Sequence, residues 1–335
     1  MKKILSVAAG LLLTIAAVFA EETSPWAFSL TTDLAYYPLS APVDSAENHF
    51  APITGPYSGL EARTTAWAEY KIPTPFGDNP LTKGNRLVLK GAFELSPVTV
   101  SPKLQFNFTP IAFIVLSGGV SVTSGWNLPF LGAYYSSSFN PLNMQREPVA
   151  GPTYDPETPF SDWLFNCFVG GTFQFDTGAV WPGDWHHIVL QAYYEIKYNK
   201  LLGADSQIYE FQNTYGRADG WMNYQCYTIG YQMPTILSLV GFRAELESHY
   251  NGADFGKYDE NFKGNFTEIN LSPVLVFNLG KNDTLFTLIN FAGRRGYSGY
   301  EFNPADRTPA DEILMTAKGT EYYFKRLAFS WQHRF

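Results

Sequence analysis

Charged side chains are scarce in this sequence. They make up 16% of its 335 residues, whereas aromatic residues reach 17%, and a water-soluble domain usually carries about a quarter charged residues. Basic residues are the rarer sign, with 23 lysines and arginines against 31 acids, which argues against the basic face that nucleic-acid binding requires. Part of the surface is therefore expected to face something other than water.

Long apolar runs are absent beyond the first twenty residues. Lys2 and Lys3 precede an apolar stretch that ends at Ala20, before two glutamates, and this is the pattern of a secretory signal peptide. We predict a cleaved signal peptide over 1–20 and a single exported domain over 21–335. No later stretch approaches ~18 consecutive apolar residues, so no further membrane-spanning helix is predicted.

Apolar residues instead recur at every second position. In segment 26–37, one face is polar and the other consists of Trp26, Phe28, Leu30, Leu34 and Tyr36. Such alternation, with heavy use of aromatic residues, is typical of a transmembrane β-barrel, because lipid contacts one side chain and the lumen contacts the next. A tilted strand of this length spans roughly 25 Å, the height of the apolar band of such a barrel.

Twelve segments of this kind are predicted. They lie at 26–37, 60–72, 85–96, 99–109, 111–123, 162–177, 185–198, 221–232, 237–250, 265–279, 283–292 and 321–335. Because 111–123, 221–232 and 283–292 alternate poorly, ten or fourteen strands are alternatives. Long and short connections alternate along the chain, as expected for long extracellular loops and short periplasmic turns. The predicted fold is an all-β, antiparallel, up-and-down transmembrane barrel.

The final segment, EYYFKRLAFSWQHRF, resembles a known class of strand. Its apolar face consists of Leu327, Phe329, Trp331 and the last residue, Phe335. Together with the signal peptide and the strand pattern, this resembles the terminal strand of Gram-negative outer-membrane β-barrel proteins. The resemblance implies that this strand closes the barrel and is read by the barrel-assembly machinery, and that outer-membrane lipids surround the protein. Lys325 and His333 depart from the pattern, and Lys325 is expected on the lipid face, where a long side chain snorkels to the interface.

Charged residues on the opposite strand faces are expected to line the lumen. The candidates are Glu61, Arg63, Glu69, Lys71, Arg86, Lys90, Glu94, Glu195, Lys197, Arg243, Glu245, Glu247, Glu268, Arg326 and Arg334. They either form the charged lining of a porin-like channel for small polar solutes or pair with one another to fill a closed interior. We predict the passive channel, with a mild preference for cations from the acidic balance and with no cofactor or metal. The alternative is a closed barrel with a structural or surface-binding, adhesin-like role.

A lipid hydrolase or acyltransferase is the second alternative. Such an enzyme needs a serine and a histidine within hydrogen-bond reach of each other. The candidate histidines are His186, His187, His249 and His333. Neighbouring pairs such as Ser248 and His249 point to opposite faces of a strand, and the motifs G-x-S-x-G and H-E-x-x-H are absent. We therefore expect no enzymatic activity.

Cysteine is nearly absent. Cys167 and Cys226 fall on the sixth and eighth predicted strands, and second-neighbour strands lie farther apart than the ~7 Å between Cα atoms that a disulfide tolerates. We expect two free thiols buried in the membrane, with Cys167 on the lipid face.

The longest predicted loop, 124–161, is rich in aromatic residues and proline. Long loops in compact proteins are often functional. This one is expected either to fold into the lumen as a constriction or plug, or to form an outer cap in which Tyr134, Tyr135 and Tyr154 pack on neighbouring loops.

Three other residues carry local expectations. Arg294 and Arg295 begin the last long loop, and we expect them to anchor the protein at the membrane interface, with binding of anionic lipid headgroups as the alternative. Pro273 interrupts an otherwise regular strand and removes one ladder hydrogen bond, so a bulge or kink is expected there.

Overall fold

The computed structural model describes residues 24–43, 45–77, 79, 81–82, 84–140, 154–203, 207–212, 216–298 and 316–335. The predicted signal peptide lies outside these residues. The strands are β1 (Trp26–Leu39), β2 (His49–Ala51), β3 (Gly55–Pro73), β4 (Arg86–Leu95), β5 (Thr99–Ile111), β6 (Ile114–Gly125), β7 (Ser136–Phe139), β8 (Tyr154–Pro156), β9 (Trp163–Asp176), β10 (His187–Leu202), β11 (Ile208–Phe211), β12 (Arg217–Ala218), β13 (Gly220–Gln232), β14 (Leu237–His249), β15 (Glu268–Asn278), β16 (Asp283–Ser298) and β17 (Thr316–Arg334). Among the described helices, none has the length and apolarity needed to cross a membrane.

Twelve of the described strands close into one antiparallel barrel. Their order is β1, β3, β4, β5, β6, β9, β10, β13, β14, β15, β16 and β17. β17 closes the ring by pairing with β1, from Ser29 opposite Arg334 to Tyr36 opposite Leu327. Closure satisfies the backbone groups of every strand within the sheet, as a membrane interior requires. The predicted twelve-stranded barrel is confirmed, and each predicted segment coincides with one barrel strand.

Large apolar side chains cover the outer face. Leu34, Leu104, Val169 and Phe242 are all more than 40% exposed. Exposed tryptophans lie near both ends: Trp26 and Trp331 at the end with the short turns, and Trp163 and Trp221 at the end with the long loops. An apolar band between two aromatic girdles is the exterior of a transmembrane β-barrel.

An apolar patch on the inner face explains why one strand alternates poorly. The patch consists of Ala35, Leu239, Val274, Val276, Phe286, Leu288 and Ala328. It covers the inner face of β14 to β17 and β1. Because Phe286 and Leu288 point inward while β16 also faces lipid, both faces of this strand are apolar. In β6 the pattern fails for a different reason, since Gly118 and Gly119 leave both faces without a side chain.

A β-bulge in β17 overturns the expected position of Lys325. Asn290 pairs with Arg326 and Phe291 pairs with Phe324, so Lys325 is the extra residue. A bulge shifts the phase of the alternation, and Lys325 therefore faces inward beside Arg326. Lys325 is 6% exposed, and its Nζ donates to Asn270 Oδ1 at 3.3 Å. The prediction that Lys325 snorkels on the lipid face was wrong.

Pro273 causes no bulge. It pairs with Phe242 in an uninterrupted register between β14 and β15. Toward β16, the pairs Leu271 with Phe291 and Val274 with Leu288 keep one register across the proline. The predicted bulge is absent.

Three long loops fold together over one end of the barrel. Strands β7 and β8, from the β6–β9 loop, and β11 and β12, from the β10–β13 loop, form a four-stranded antiparallel sheet in the order β12, β11, β7, β8. We call this sheet, together with the short helical segment 252–262, the cap. Its two apolar cores consist of Phe139, Ile208, Ala218, Phe255 and Phe262, and of Val98, Tyr135, Leu201, Tyr209 and Phe211.

The described part of segment 124–161 agrees with the outer-cap interpretation. Tyr135 is fully buried and its hydroxyl donates to the Thr158 carbonyl at 2.6 Å. The Tyr154 hydroxyl accepts a hydrogen bond from the Gly216 amide at 2.9 Å. Both tyrosines therefore contribute to a folded cap.

Candidate functional site: the barrel lumen

The predicted lumen residues lie on the inner faces of their strands, and all but Glu61 and Glu195 are described below in three layers. Residues near the short turns are partly exposed, those at mid-height are buried, and those near the cap bind cap residues. In the strand register, charged positions on neighbouring strands lie side by side, so each layer extends across several strands.

The first layer lies near the short turns, and we call it the vestibule. It consists of Glu69, Lys71, Arg86, Lys90 and Arg334. Glu69 lies opposite Lys90 in the β3–β4 ladder, and their charged groups are 2.8 Å apart with side chains 25% and 13% exposed. Arg334 is exposed. Water therefore reaches this end of the lumen.

The second layer lies at mid-height, and we call it the constriction. It consists of Asp33, Arg63, Glu94, Lys103, Tyr224, Arg243, Glu245 and Arg326. On one wall, Arg63 Nε donates to Asp33 Oδ2 at 2.7 Å and Lys103 Nζ lies 2.5 Å from Glu94 Oε2. The second guanidinium contact of Arg63, Nη1 to Glu94 Oε2, measures 3.7 Å. Two acids and two bases thus form one buried cluster across β1, β3, β4 and β5.

The opposite wall of the constriction carries a second cluster. Arg243 Nη2 lies 2.8 Å from Glu245 Oε1 and donates to the Tyr224 hydroxyl at 3.2 Å. Tyr224 in turn donates to Glu245. Arg243 is only 1% exposed, so this side chain is sealed from bulk water. Arg326, on β17 beside the first cluster, donates from Nη1 to the Tyr37 hydroxyl at 2.8 Å.

A small cavity lies beside the constriction. Asp33, Glu61, Arg63, Ser96, Gln212 and Arg326 contribute to its lining, and its volume is about 20 Å³, which is enough for about one water molecule. Several buried polar atoms of its lining have no hydrogen-bond partner among the described residues, namely Asp33 Oδ1, Arg63 Nη1 and Nη2, and Arg326 Nε. Buried groups of this kind are normally hydrogen-bonded to protein or water.

The third layer joins the barrel to the cap, and we call it the latch. It consists of Arg217, Glu247 and Glu268. Arg217 Nη2 lies 2.9 Å from Glu247 and 3.3 Å from Glu268. Lys197 also pairs with Glu247, and Arg295 Nη1 lies 3.8 Å from Glu268. Burial alone would lower the pKa of Arg217, but the two carboxylates outweigh it and raise the pKa, so the guanidinium stays charged.

A second contact between a loop and the barrel lies at Glu321. This buried carboxylate accepts hydrogen bonds from the Val43 amide and from His49 Nε2, at 2.7 and 2.8 Å. Arg294 also pairs with it. The Glu47 carbonyl, bonded to His49 Nδ1, together with Glu321, raises the pKa of His49. We call residues 40–43 and 45–51 the strap, because these contacts and β2 hold them along β17.

The two arginines predicted as membrane anchors bind protein groups instead. Arg294 donates to Glu321 and to the Ser40 carbonyl. Arg295 donates to the Phe262 carbonyl and approaches Glu268. The anchor interpretation was therefore wrong.

Four histidines each lie beside a carboxylate, and none of them bonds to a serine in the described chain. The pairs are His49 with Glu321, His187 with Asp176, His249 with Asp254 and His333 with Asp283. A serine hydrolase requires the hydroxyl as well as the imidazole and the acid. The described residues also bring together no group of three or more potential metal ligands.

Both cysteines are free thiols, as predicted. Cys167 is half-buried on the outer face, beside Val120 in the ladder. Cys226, in contrast, shares the inner face of β13 with Thr228 and is 2% exposed. The prediction that both thiols lie in the membrane was wrong for Cys226.

Several important lumen residues were not among the sequence candidates. Lys103 shares its strand face with Ser101 and Gln105, so the alternation pattern alone would have placed it in the lumen. Asp33 was assigned to the polar face of its segment, but no role was predicted for it. Arg217 lies in a loop, where strand periodicity gives no signal. Tyr224 lies on a poorly alternating strand whose faces could not be assigned from the sequence.

Comparisons with known proteins find similarity only at the level of solved structures. No protein-family model and no curated protein matches the chain. An outer membrane channel from Pseudomonas putida F1 aligns over 95% of this chain and 98% of its own, with 7% identity and a TM-score of 0.46. Two structures of the KdgM porin align over 92% of this chain and 99% of their own, with 8% identity and TM-scores of 0.37 and 0.36.

The translocator domain of autotransporter NalP from Neisseria meningitidis covers 100% of this chain and 96% of its own, with 10% identity and a TM-score of 0.38. The strand order, the closure and the apolar exterior described above agree with this class. The fold is that of an outer-membrane β-barrel. At these identities the similarity extends to the fold alone.

Proposed function

We propose that this barrel is a passive channel in the bacterial outer membrane for small polar solutes. The observation that carries the proposal is the continuous polar inner surface, from the vestibule through the constriction to the latch, inside an apolar exterior. Charged side chains that line a lumen select solutes by charge and by the polar groups they offer. The constriction is the layer whose charged side chains are buried, and the vestibule is its opening toward the periplasm.

The cost of burying charge supports a role beyond filling space. Replacing a buried ion pair by well-packed apolar residues is often neutral or stabilising. This chain already fills part of its lumen with apolar side chains, around Val274, Phe286 and Leu288. Packing alone therefore does not require Arg63, Glu94 and Lys103 at the same height of the barrel. A polar path accounts for their presence.

The constriction and the cap limit what passes. Residues Arg63, Glu94 and Lys103 are each less than 10% exposed, and the cavity beside them holds about one water molecule. A solute larger than water passes when the long arginine and lysine side chains swing aside. At the outer end, passage also requires the cap to shift from the rim at Arg217.

The surroundings follow from the same features. Outer-membrane lipids cover the apolar band, and the closing strand, with Leu327, Phe329, Trp331 and Phe335 on its outer face, serves as the signal for the barrel-assembly machinery. The predicted leader, 1–20, directs export and is removed. The channel needs neither a cofactor nor a nucleic-acid partner.

Planar-bilayer conductance of the refolded mature protein tests the proposal. Discrete ohmic steps in symmetric potassium chloride are expected. Arg243→Gln is expected to change the step size, because it removes a charge from the constriction. Lys200→Gln, which removes a charge from an exposed position on the outer face of β10, serves as the control and should leave the steps unchanged. Heat-modifiable migration on a gel confirms folding of each variant.

Silence of the folded, inserted protein would contradict the channel. The folded cap, with its two buried cores, favours a closed barrel with a surface-binding role as the second candidate. In that case, variants that release the cap would also fail to conduct.

A further inference from the structure

The distribution of lumen charge points to the class of solute. If the barrel is the channel proposed above, its lumen has a preferred class of solute. We infer that this class is small anions, which carry carboxylate, phosphate or sulfate groups. Two separate observations carry this inference: the excess of positive charge in the vestibule, and the buried guanidinium nitrogens of the constriction that have no hydrogen-bond partner among the described residues.

The vestibule is basic. Lys71, Arg86, Lys90 and Arg334, on β3, β4 and β17, contribute four positive charges, against Glu69 on β3 and Asp176 on β9. The described inner face at this end therefore carries a net charge of +2. Asp283 does not alter this balance, because it lies on the outer face, where it accepts a hydrogen bond from the Trp331 indole at 3.0 Å.

The described turn residues at this end add no net charge. They include Lys281 and Asp184. The lysine balances the aspartate, and the basic character of this opening comes from the inner wall of the barrel.

The four cations lie close together. Lys71 pairs with Val88 in the β3–β4 ladder, which places it diagonally between Arg86 and Lys90. Arg334 lies opposite Ser29, whose other neighbour in the sheet is Trp67, so the arginine is two strands from the same wall. Lys71 lies within electrostatic range of all three other cations. An anion that enters from the short-turn end meets this belt first.

The constriction offers donors that an anion can use. Arg63 and Arg326 are 7% and 3% exposed, and Nη1 and Nη2 of Arg63 and Nε of Arg326 have no hydrogen-bond partner among the described residues. Both side chains line one cavity. Guanidinium N–H groups match the geometry of carboxylate and phosphate oxygens. Asp33 and Glu61 also line this cavity, but among the described lining atoms three guanidinium nitrogens and one acceptor, Asp33 Oδ1, have no hydrogen-bond partner, so the unsatisfied groups are mainly donors.

The acidity of the whole chain does not describe the lumen. Acidic residues at the loop end include Glu47, Asp155, Glu157, Asp219, Asp259 and Glu260. These lie in the cap and the loops, at the end of the barrel opposite the vestibule. The cation preference predicted from total charge is therefore replaced here by a preference set by the inner wall.

Reversal potentials with matched charge variants test the inference. The triple variant Lys71→Gln, Arg86→Gln, Arg334→Gln removes three charges from the vestibule. The control variant Lys200→Gln, Lys257→Gln, Lys318→Gln removes three charges from exposed positions at the loop end, so both variants have the same net charge. Gradients between about 10 and 30 mM potassium chloride keep the screening length near 20–30 Å.

The wild-type channel is expected to pass chloride more readily than potassium. One unit charge about 10 Å away in water changes the concentration of an anion about twofold and that of a cation about twofold in the opposite sense. Each vestibule charge removed should therefore lower the chloride-to-potassium permeability ratio about fourfold. The control triple should leave the ratio within about twofold. Replacing chloride by phosphate or acetate should preserve the sign of the reversal potential.

The outcomes separate this inference from the channel itself. A conducting wild-type protein with potassium preference, or equal shifts in the two triple variants, would overturn the anion preference and leave the channel intact. The absence of conductance in a folded, inserted protein would overturn both.

Discussion

Glu94 holds together the charge cluster on one wall of the constriction, and its replacement by glutamine is a quantitative test of how buried this layer is. Glu94 is 4% exposed and lies 2.5 Å from Lys103 Nζ. It also accepts from the Thr65 hydroxyl at 3.3 Å. In Glu94→Gln, Arg63 still pairs with Asp33. Lys103 loses the opposite charge beside it and keeps at most a hydrogen bond to the glutamine oxygen.

The expected loss of unfolding free energy is about 3 kcal/mol. Removing one partner of a buried ion pair costs roughly 3–5 kcal/mol, and the lower end applies because the glutamine oxygen still accepts hydrogen bonds. Glu69→Gln is the matched control, since Glu69 pairs with Lys90 in the same lumen but both side chains are partly exposed. Pairs of that kind contribute about 0.2–1 kcal/mol.

A double variant separates lost pairing from lost packing. In Glu94→Gln, Lys103→Met both charges are absent, and removal of a whole buried pair is often neutral. The double variant should therefore recover most of the stability lost by Glu94→Gln. Urea unfolding in detergent micelles, followed by tryptophan fluorescence, gives all three values. Equal effects of Glu94→Gln and Glu69→Gln, or a double variant no more stable than Glu94→Gln, would refute the reasoning.

Three further predictions concern the latch, the strap and the thiols. Arg217→Met should weaken cap docking by about 2 kcal/mol; the loss is limited because Glu247 still pairs with Lys197 and Glu268 with Arg295. Hydrogen exchange of the β11 amides should become about 30-fold faster. The control variant Lys318→Met should leave it unchanged. Because the pKa of His49 is raised in the folded protein, its contribution to strap docking is complete below about pH 6.5 and is lost as pH rises through the folded-state pKa. Hydrogen exchange of the Thr320 amide, which donates to Asn48 Oδ1, should therefore increase with pH by more than the intrinsic exchange rate does. His49→Gln should abolish this additional increase. A lipid-soluble maleimide should label Cys167 in the folded protein, whereas Cys226 should react only after unfolding; labelling of Cys226 at the Cys167 rate would contradict its inward position.

The barrel was predictable from the sequence because a single physical rule governs each strand. In the membrane, each strand has lipid on one side and the lumen on the other. Apolar and polar residues therefore alternate along segments such as 26–37 and 237–250. The rule weakens where the lumen itself is apolar. Phe286 and Leu288 face inward on β16, and a pattern of apolar residues on both faces carries no information on orientation.

The bulge and the cap escaped prediction for other reasons. A bulge at Lys325 depends on the pairing of β17 with β16, which is a property of two strands and not of one. The cap sheet combines short segments of two loops separated by more than fifty residues. Its contact with the rim through Arg217 depends on that long-range pairing, and loop residues have no periodicity that would reveal it.

Twelve strands leave an interior between the filled core of an eight-stranded barrel and the aqueous channel of a sixteen-stranded one. Between the Arg243–Glu245 cluster and the short turns, this chain fills the interior asymmetrically, with apolar packing on the wall of β14 to β17 and charged residues on the wall of β3 to β5. Opening the apolar wall would expose Val274 and Phe286 to water at a cost that scales with the area exposed. On the other wall, a side chain such as Arg63 or Lys103 that swings aside exchanges a protein partner for water or for a solute group. The lower cost of that exchange places the solute path along the charged wall, directly above the basic vestibule.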